Sequence, residues 1–127
     1  MPNPKAARTT DGQLATAIAS MVVQVLRQYT GRGPTKSRTY LHDELISVVL
    51  GGTLTQAERA FIAAGNSDLV LSNRTAFQGI MSADLIAGVE ELTSRTVIAL
   101  LSDDSLEPDV KLESFVLAPI ATRPTTG

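Results

Sequence analysis

The stretch Thr93-Ser94-Arg95-Thr96-Val97-Ile98-Ala99-Leu100-Leu101 decides the fold, because its pattern occurs twice. In each copy a helix-like segment closes in Thr-x-Arg, and two strand-like runs around a polar turn follow. The first copy is Thr30-Gly31-Arg32 with Thr39-Tyr40-Leu41 and Leu45 to Leu50. The second is Thr93-Ser94-Arg95 with Thr96 to Leu101 and Val110 to Leu117.

Ahead of the first copy, Leu14, Ile18, Met21, Val22, Val25, Leu26 and Tyr29 recur at steps of three and four, one stripe of a helix. Asp11 is the expected N-cap and Gly31 the expected terminator. The β-branched run at 45–50, bounded by His42-Asp43-Glu44 and Gly51-Gly52, predicts a hairpin over 38–51. Thr55-Gln56-Ala57-Glu58 has capping-box spacing and Gly65 follows, so a short helix is expected over 56–64.

A longer helix over 68–92 follows from Phe77, Met81, Leu85, Val89 and Leu92. Gly79 and Gly88 each weaken it by about 1 kcal/mol relative to Ala, which points to a close neighbour at the glycines. Ser102-Asp103-Asp104 with Glu107-Pro108-Asp109 reads as the connecting turn of the last hairpin, and Val110, Leu112, Ser114 and Val116 alternate with Lys111, Glu113, Phe115 and Leu117. The order α-ββ-α-α-ββ predicts an α+β fold of two layers, a four-stranded antiparallel sheet with helices on one face. Residues 12–118 form the single domain, and 1–11 and 119–127 read as flexible tails.

With 127 residues and 43% hydrophobic content, the chain is long enough to bury a core without disulfide or metal support. Lys+Arg 11 against Asp+Glu 13 gives a net charge of -2, so no overall field draws it to nucleic acid or an anionic membrane. The absence of cysteine removes thiolate catalysis and thiolate metal sites and fits a reducing compartment. The N-terminus lacks the apolar run of a secretory signal. No apolar stretch approaches the roughly 20 residues of a membrane span. A cytoplasmic location without membrane insertion is expected.

The segment Gly31-Arg32-Gly33-Pro34-Thr35-Lys36-Ser37-Arg38 is the strongest binding candidate. Arg32, Lys36 and Arg38, with Tyr40 beside them, bring three cations and permissive glycines to one connector, where they can meet an anion or a partner carboxylate. A solvated connector, with Arg32 neutralising the helix C-terminus, is the plainer reading. Replacing Arg32 and Lys36 is therefore expected to change stability by no more than about 0.5 kcal/mol. His42, the one histidine, reads as a polar turn residue beside Asp43 and Glu44, and no metal site is expected. Asp103, Asp104 and Asp109 read as a solvated acidic turn, and Glu90-Glu91 as an unfavourable pair at a helix end unless Arg95 or a partner compensates. No nucleophile-and-base set is recognisable, so neither an enzyme nor a cofactor is expected.

Gly31-Arg32-Gly33-Pro34, Tyr40-Leu41-His42-Asp43 and Leu50-Gly51-Gly52-Thr53-Leu54-Thr55-Gln56-Ala57-Glu58 resemble the small bacterial YbcI-like family, also called MpsC-like. Val89-Glu90-Glu91-Leu92-Thr93, Leu101-Ser102-Asp103-Asp104, Pro108-Asp109 and Phe115-Val116-Leu117 resemble its second half, so the likeness covers residues 14–118. Ser94 stands where that family's Thr-Gly-Arg leads one to expect glycine. The resemblance implies association with a sodium- or bicarbonate-linked, membrane-potential-generating system whose other components are membrane proteins; it brings no catalytic residues. The resulting expectation is a non-enzymatic cytoplasmic accessory or regulatory protein that binds a protein, such as a membrane-transport partner, or a small anion. The alternative is a stand-alone sensor or nucleic-acid-associated stress protein using the 31–38 loop. A homodimer is expected, because a helix over 68–92 spans about 37 Å, more than one small sheet needs as cover.

Overall fold

A computed structural model of the chain describes residues 10–120. The elements are α1 (Asp11–Thr30), β1 (Lys36–His42), β2 (Leu45–Gly51), α2 (Gln56–Ala63), α3 (Ser67–Thr93), β3 (Val97–Ser105) and β4 (Val110–Leu117). This is the expected α-ββ-α-α-ββ order. Apart from residues 10, 11, 119 and 120, the tails expected at both ends lie outside the described residues. Among the described residues no helix is long and apolar enough to cross a membrane.

The N-cap of α1 is Thr10 rather than Asp11, which occupies the first turn. Thr10 Oγ1 accepts the Gln13 N–H at 3.0 Å, and the Gln13 side chain accepts the Thr10 N–H at 3.0 Å. A glutamine three residues on completes a capping box that an Asp11 cap would lack.

All four strands form one antiparallel sheet in the order β1-β2-β4-β3. The second strand of each hairpin thus lies at the centre, and the two α-ββ units are related by a half-turn about the sheet normal. That axis passes between Ser47 and Ser114, paired in register with their hydroxyls 3.2 Å apart.

The Thr-x-Arg repeat is a shared helix stop. Gly31 and Ser94 adopt left-handed φ of 77° and 57°, and their N–H groups donate to Arg27 and Glu90 carbonyls at 2.9 and 2.8 Å. Thr30 and Thr93 hydroxyls donate to the Leu26 and Val89 carbonyls. Each arginine then ties distant backbone: Arg32 Nη1 donates to Leu54 O at 2.6 Å, and Arg95 donates to Asp43 O and Ala118 O. Arg95 therefore does not answer Glu90. Glu90 instead accepts the Val97 N–H at 2.9 Å, which anchors the start of β3.

The core lies between the sheet and the pair α1–α3, where Ile18, Val22, Leu26, Met81, Leu85 and Val89 pack on Ile46, Val48, Leu50, Phe115 and Leu117. Burial of each such side chain contributes about 1.5–3 kcal/mol. The expected stripe of α3 is corrected at both ends: Phe77 and Leu92 are 40% and 39% exposed. The stripe facing the fold runs instead through Val70, Arg74, Gln78, Met81, Leu85 and Val89. Of the two helical glycines, Gly88 has the expected close neighbour. It belongs to the same chain, since the Met21 side chain fills the space a Cβ would occupy; Gly79 faces open space.

The last hairpin also differs from expectation. Ser102, Asp103 and Asp104 belong to β3, and the turn is 106–109. Alternation in β3 aims Asp104 inward opposite Lys111, so it is not a solvated turn residue.

Candidate functional site

At the end of the fold where α1 stops, the sheet, α2 and the first half of α3 enclose a cavity of about 270 Å³. Leu26, Val70 and Met81 form apolar walls, Tyr29, Arg32, Phe61 and Phe77 stand around it, and Thr53, Glu58, Arg74 and Lys111 supply its polar lining. Phe61 and Phe77 are each 40% exposed.

Local structure places each polar group. Thr55 caps α2 by accepting the Glu58 N–H at 3.1 Å, and Glu58 returns the bond by accepting the Thr55 N–H at 2.9 Å. The same Glu58 carboxylate receives Arg74 Nε at 2.7 Å and Nη2 at 2.9 Å. Arg74 Nη1 donates to Asp104 at 2.7 Å and to Thr53 Oγ1 at 3.0 Å. Asp109, from the β3–β4 turn, accepts the N–H groups of Thr53 and Leu54 and the Thr53 hydroxyl at 2.7–3.0 Å. One arginine on α3 thereby joins α2, the β2–α2 connection and β3.

Burial alone raises the Glu58 and Asp109 carboxyls, but their bonds outweigh it. Arg74 and Thr55 hold Glu58 below its ordinary value, and the amides of Leu54 and Thr53 with the Thr53 hydroxyl do the same for Asp109. Burial also opposes the charge on Arg74, yet Glu58 and Asp104 reverse that effect and make it harder still to deprotonate. Glu113 goes the other way. It is fully buried, and burial raises it more than Lys111 and Gln78 lower it. Gln78 Nε2 donates to its Oε1 at 2.7 Å, whereas Oε2 has only Lys111 Nζ at 3.6 Å and no hydrogen-bond partner among the described residues.

The four residues singled out in the basic loop do not form one cradle. Arg32 lines the cavity, held by Leu54 O, and its Nε and Nη2 have no partner among the described residues. Lys36, Arg38 and Tyr40 are in β1 on the face of the sheet away from the helices, with the Arg38 guanidinium 5.2 Å from the centre of the Tyr40 ring. His42 lines a second cavity with Asp11, Leu14, Leu41, Arg95 and Leu117, at the end related to the first by the half-turn. Among the described residues no group of three or more His, Asp or Glu side chains is placed to hold a metal.

Sequence reasoning missed Arg74, Gln78, Lys111 and Glu113. Strand alternation held the signal for the last two, which share a face with Phe115 and Leu117. Arg74 stands four residues before Gln78, and Gln78 three before Met81, on the inward line of α3 that continues through Leu85 and Val89.

A family model described as "Na+-translocating membrane potential-generating system (MpsC)" matches residues 10–119. No curated protein and no solved structure matches the chain.

Proposed function

The chain belongs to the MpsC family, and on that premise we propose that it is a non-enzymatic accessory protein of the Na+-translocating system, acting in the cytoplasm. It works by seating an apolar segment of a membrane component in the cavity beside α2. The observation that carries this reading is the combination of Phe61 and Phe77, exposed at the cavity, with the unspent donors of Arg32. Aromatic anchors around an apolar pocket provide contact area, and a guanidinium beside them selects a carboxylate on the arriving segment. The chemistry of the lining supports binding rather than turnover. Glu58, the carboxylate of the lining, is held ionised by its own partners, and Arg74 is committed to Glu58, Asp104 and Thr53. Glu113, the carboxyl with a raised value, is not part of the cavity lining.

Co-sedimentation with inverted membrane vesicles tests the reading, using vesicles with and without the membrane components of the system. Wild-type protein is expected to sediment only with the loaded vesicles, and a Phe61→Ser/Phe77→Ser variant to lose that retention while remaining folded. Equal retention on both vesicle types rejects the accessory role. Full retention of the variant rejects the cavity as the contact.

A further inference from the structure

Beyond the cavity, the opposite side of the sheet carries its own information. Because α1 and α3 pack on one face, the other face is left to the outward residues of all four strands. Tyr40, Leu45 and Leu112 are about two-fifths exposed there, and Leu101 is 62% exposed. Four strands about 4.8 Å apart and about seven residues long project to roughly 450 Å². Lys36, Arg38, Ser47, Ser114 and Asp103 share that face, and the apolar side chains gathered among them form an exposed patch rimmed by polar groups, the kind that marks a contact surface.

We propose that this face is covered by the same face of a second copy of the chain, related by a two-fold axis parallel to the strands. The register supplies the argument. Arg38 pairs with Val49, Val49 with Leu112, and Leu112 with Asp103, so one row across the sheet reads cation, apolar, apolar, anion. Arg38 and Asp103 lie on opposite edge strands, about 14 Å apart across three strand spacings. Neither has an ion-pair partner among the described residues. A two-fold axis along the strands turns the second sheet over and brings its β3 edge above the first β1 edge. Arg38 of each copy then faces Asp103 of the other, and the apolar middle of the row meets itself. An axis perpendicular to the strands would instead stack β1 on β1, setting Lys36 and Arg38 of the two copies on the same edge, so charge selects the first arrangement. Aligned packing of two sheets tolerates the strand angle of about 30° that sheet twist demands. Arg38, held over Tyr40, projects from the same face as the apolar residues it must accompany.

Sedimentation equilibrium of the full chain and its variants is the test. Wild type is expected to dimerise in the micromolar range. Arg38→Asp and Asp103→Arg should each weaken association by about tenfold or more, since each sets like charges opposite one another. The double variant Arg38→Asp/Asp103→Arg restores opposite charges and should return to within about threefold of wild type. Leu101→Lys, on the same face, should abolish the dimer, and thermal unfolding of each variant checks that it folds. A wild-type monomer at several hundred micromolar overturns the proposal. So do single charge reversals without effect, or a double variant no tighter than the weaker single.

Discussion

Arg74 and Glu58 meet through two bonds, Nε to Oε2 at 2.7 Å and Nη2 to Oε1 at 2.9 Å, and the same carboxylate completes the N-terminal cap of α2. Removing the guanidinium leaves Glu58, whose side chain is 19% exposed, without its cation, and leaves Asp104, 11% exposed, with Lys111 Nζ alone at 3.3 Å. Arg74→Met is expected to cost about 3–5 kcal/mol in urea unfolding. Arg74→Lys should recover only part of this, because an ammonium cannot reproduce the fork that reaches both partners.

The carboxylates give acid sensitivity of a defined sign. Glu58 and Asp109 have folded values below their unfolded ones, so their stabilisation is present above the unfolded carboxylate range and is lost as pH falls through the folded values. Thermal midpoints of wild type should drop on acidification from about pH 5 downward. Asp109→Asn should show a shallower drop from a lower starting point.

Glu113 contributes with the opposite sign. Its folded value is raised, so its contribution is fully present below the unfolded value and is lost as pH rises through the folded one. Glu113→Gln should therefore raise the thermal midpoint at neutral pH, with the gain shrinking to nothing under acid conditions. A variant less stable than wild type at neutral pH would show that the Lys111 pairing outweighs the burial of charge.

Helix α3 offers a paired comparison at its glycines. Gly79→Ala meets open space and is expected to stabilise by about 0.5–1 kcal/mol, the propensity difference between the two residues. Gly88→Ala must displace the Met21 side chain and should fall short of that gain. Denaturant midpoints at constant m-value settle the ordering.

Within the basic loop the structure separates two residues that the sequence treats alike. Arg32→Ala removes the bond to Leu54 O and should cost about 1 kcal/mol. Lys36→Ala, exposed on β1 and without an ion-pair partner among the described residues, should be neutral within about 0.5 kcal/mol. Urea unfolding of the two single variants measures the split.

The architecture was readable because its signals are local. The apolar spacing of α1, the capping box at Thr55 and the repeated Thr-x-Arg stop each act within a turn or two of chain. Asp104 was misplaced because Ser102-Asp103-Asp104 has turn composition, while the long-range pairing to Lys111 that keeps it in β3 leaves no local mark. Arg74 and Gln78 were passed over because polar residues interrupt the apolar periodicity of the face they occupy. The cavity draws on α1, the β2–α2 connection, α2, α3 and β4, so no spacing within one segment announces it.

The half-turn that relates the two α-ββ units has a consequence for recognition between copies. It exchanges Tyr40 with Leu101, Val49 with Val116 and Leu112 with Leu45, so the apolar part of the outer sheet face looks much the same either way up. Such a face, left to its shape and oiliness, would greet a twin in two nearly degenerate poses. The charges do not share the symmetry: Arg38 maps onto Ala99 and Asp103 onto His42. In the proposed dimer, the difference between the halves at those two edge positions lifts the degeneracy and gives an otherwise ambidextrous surface a single preferred orientation.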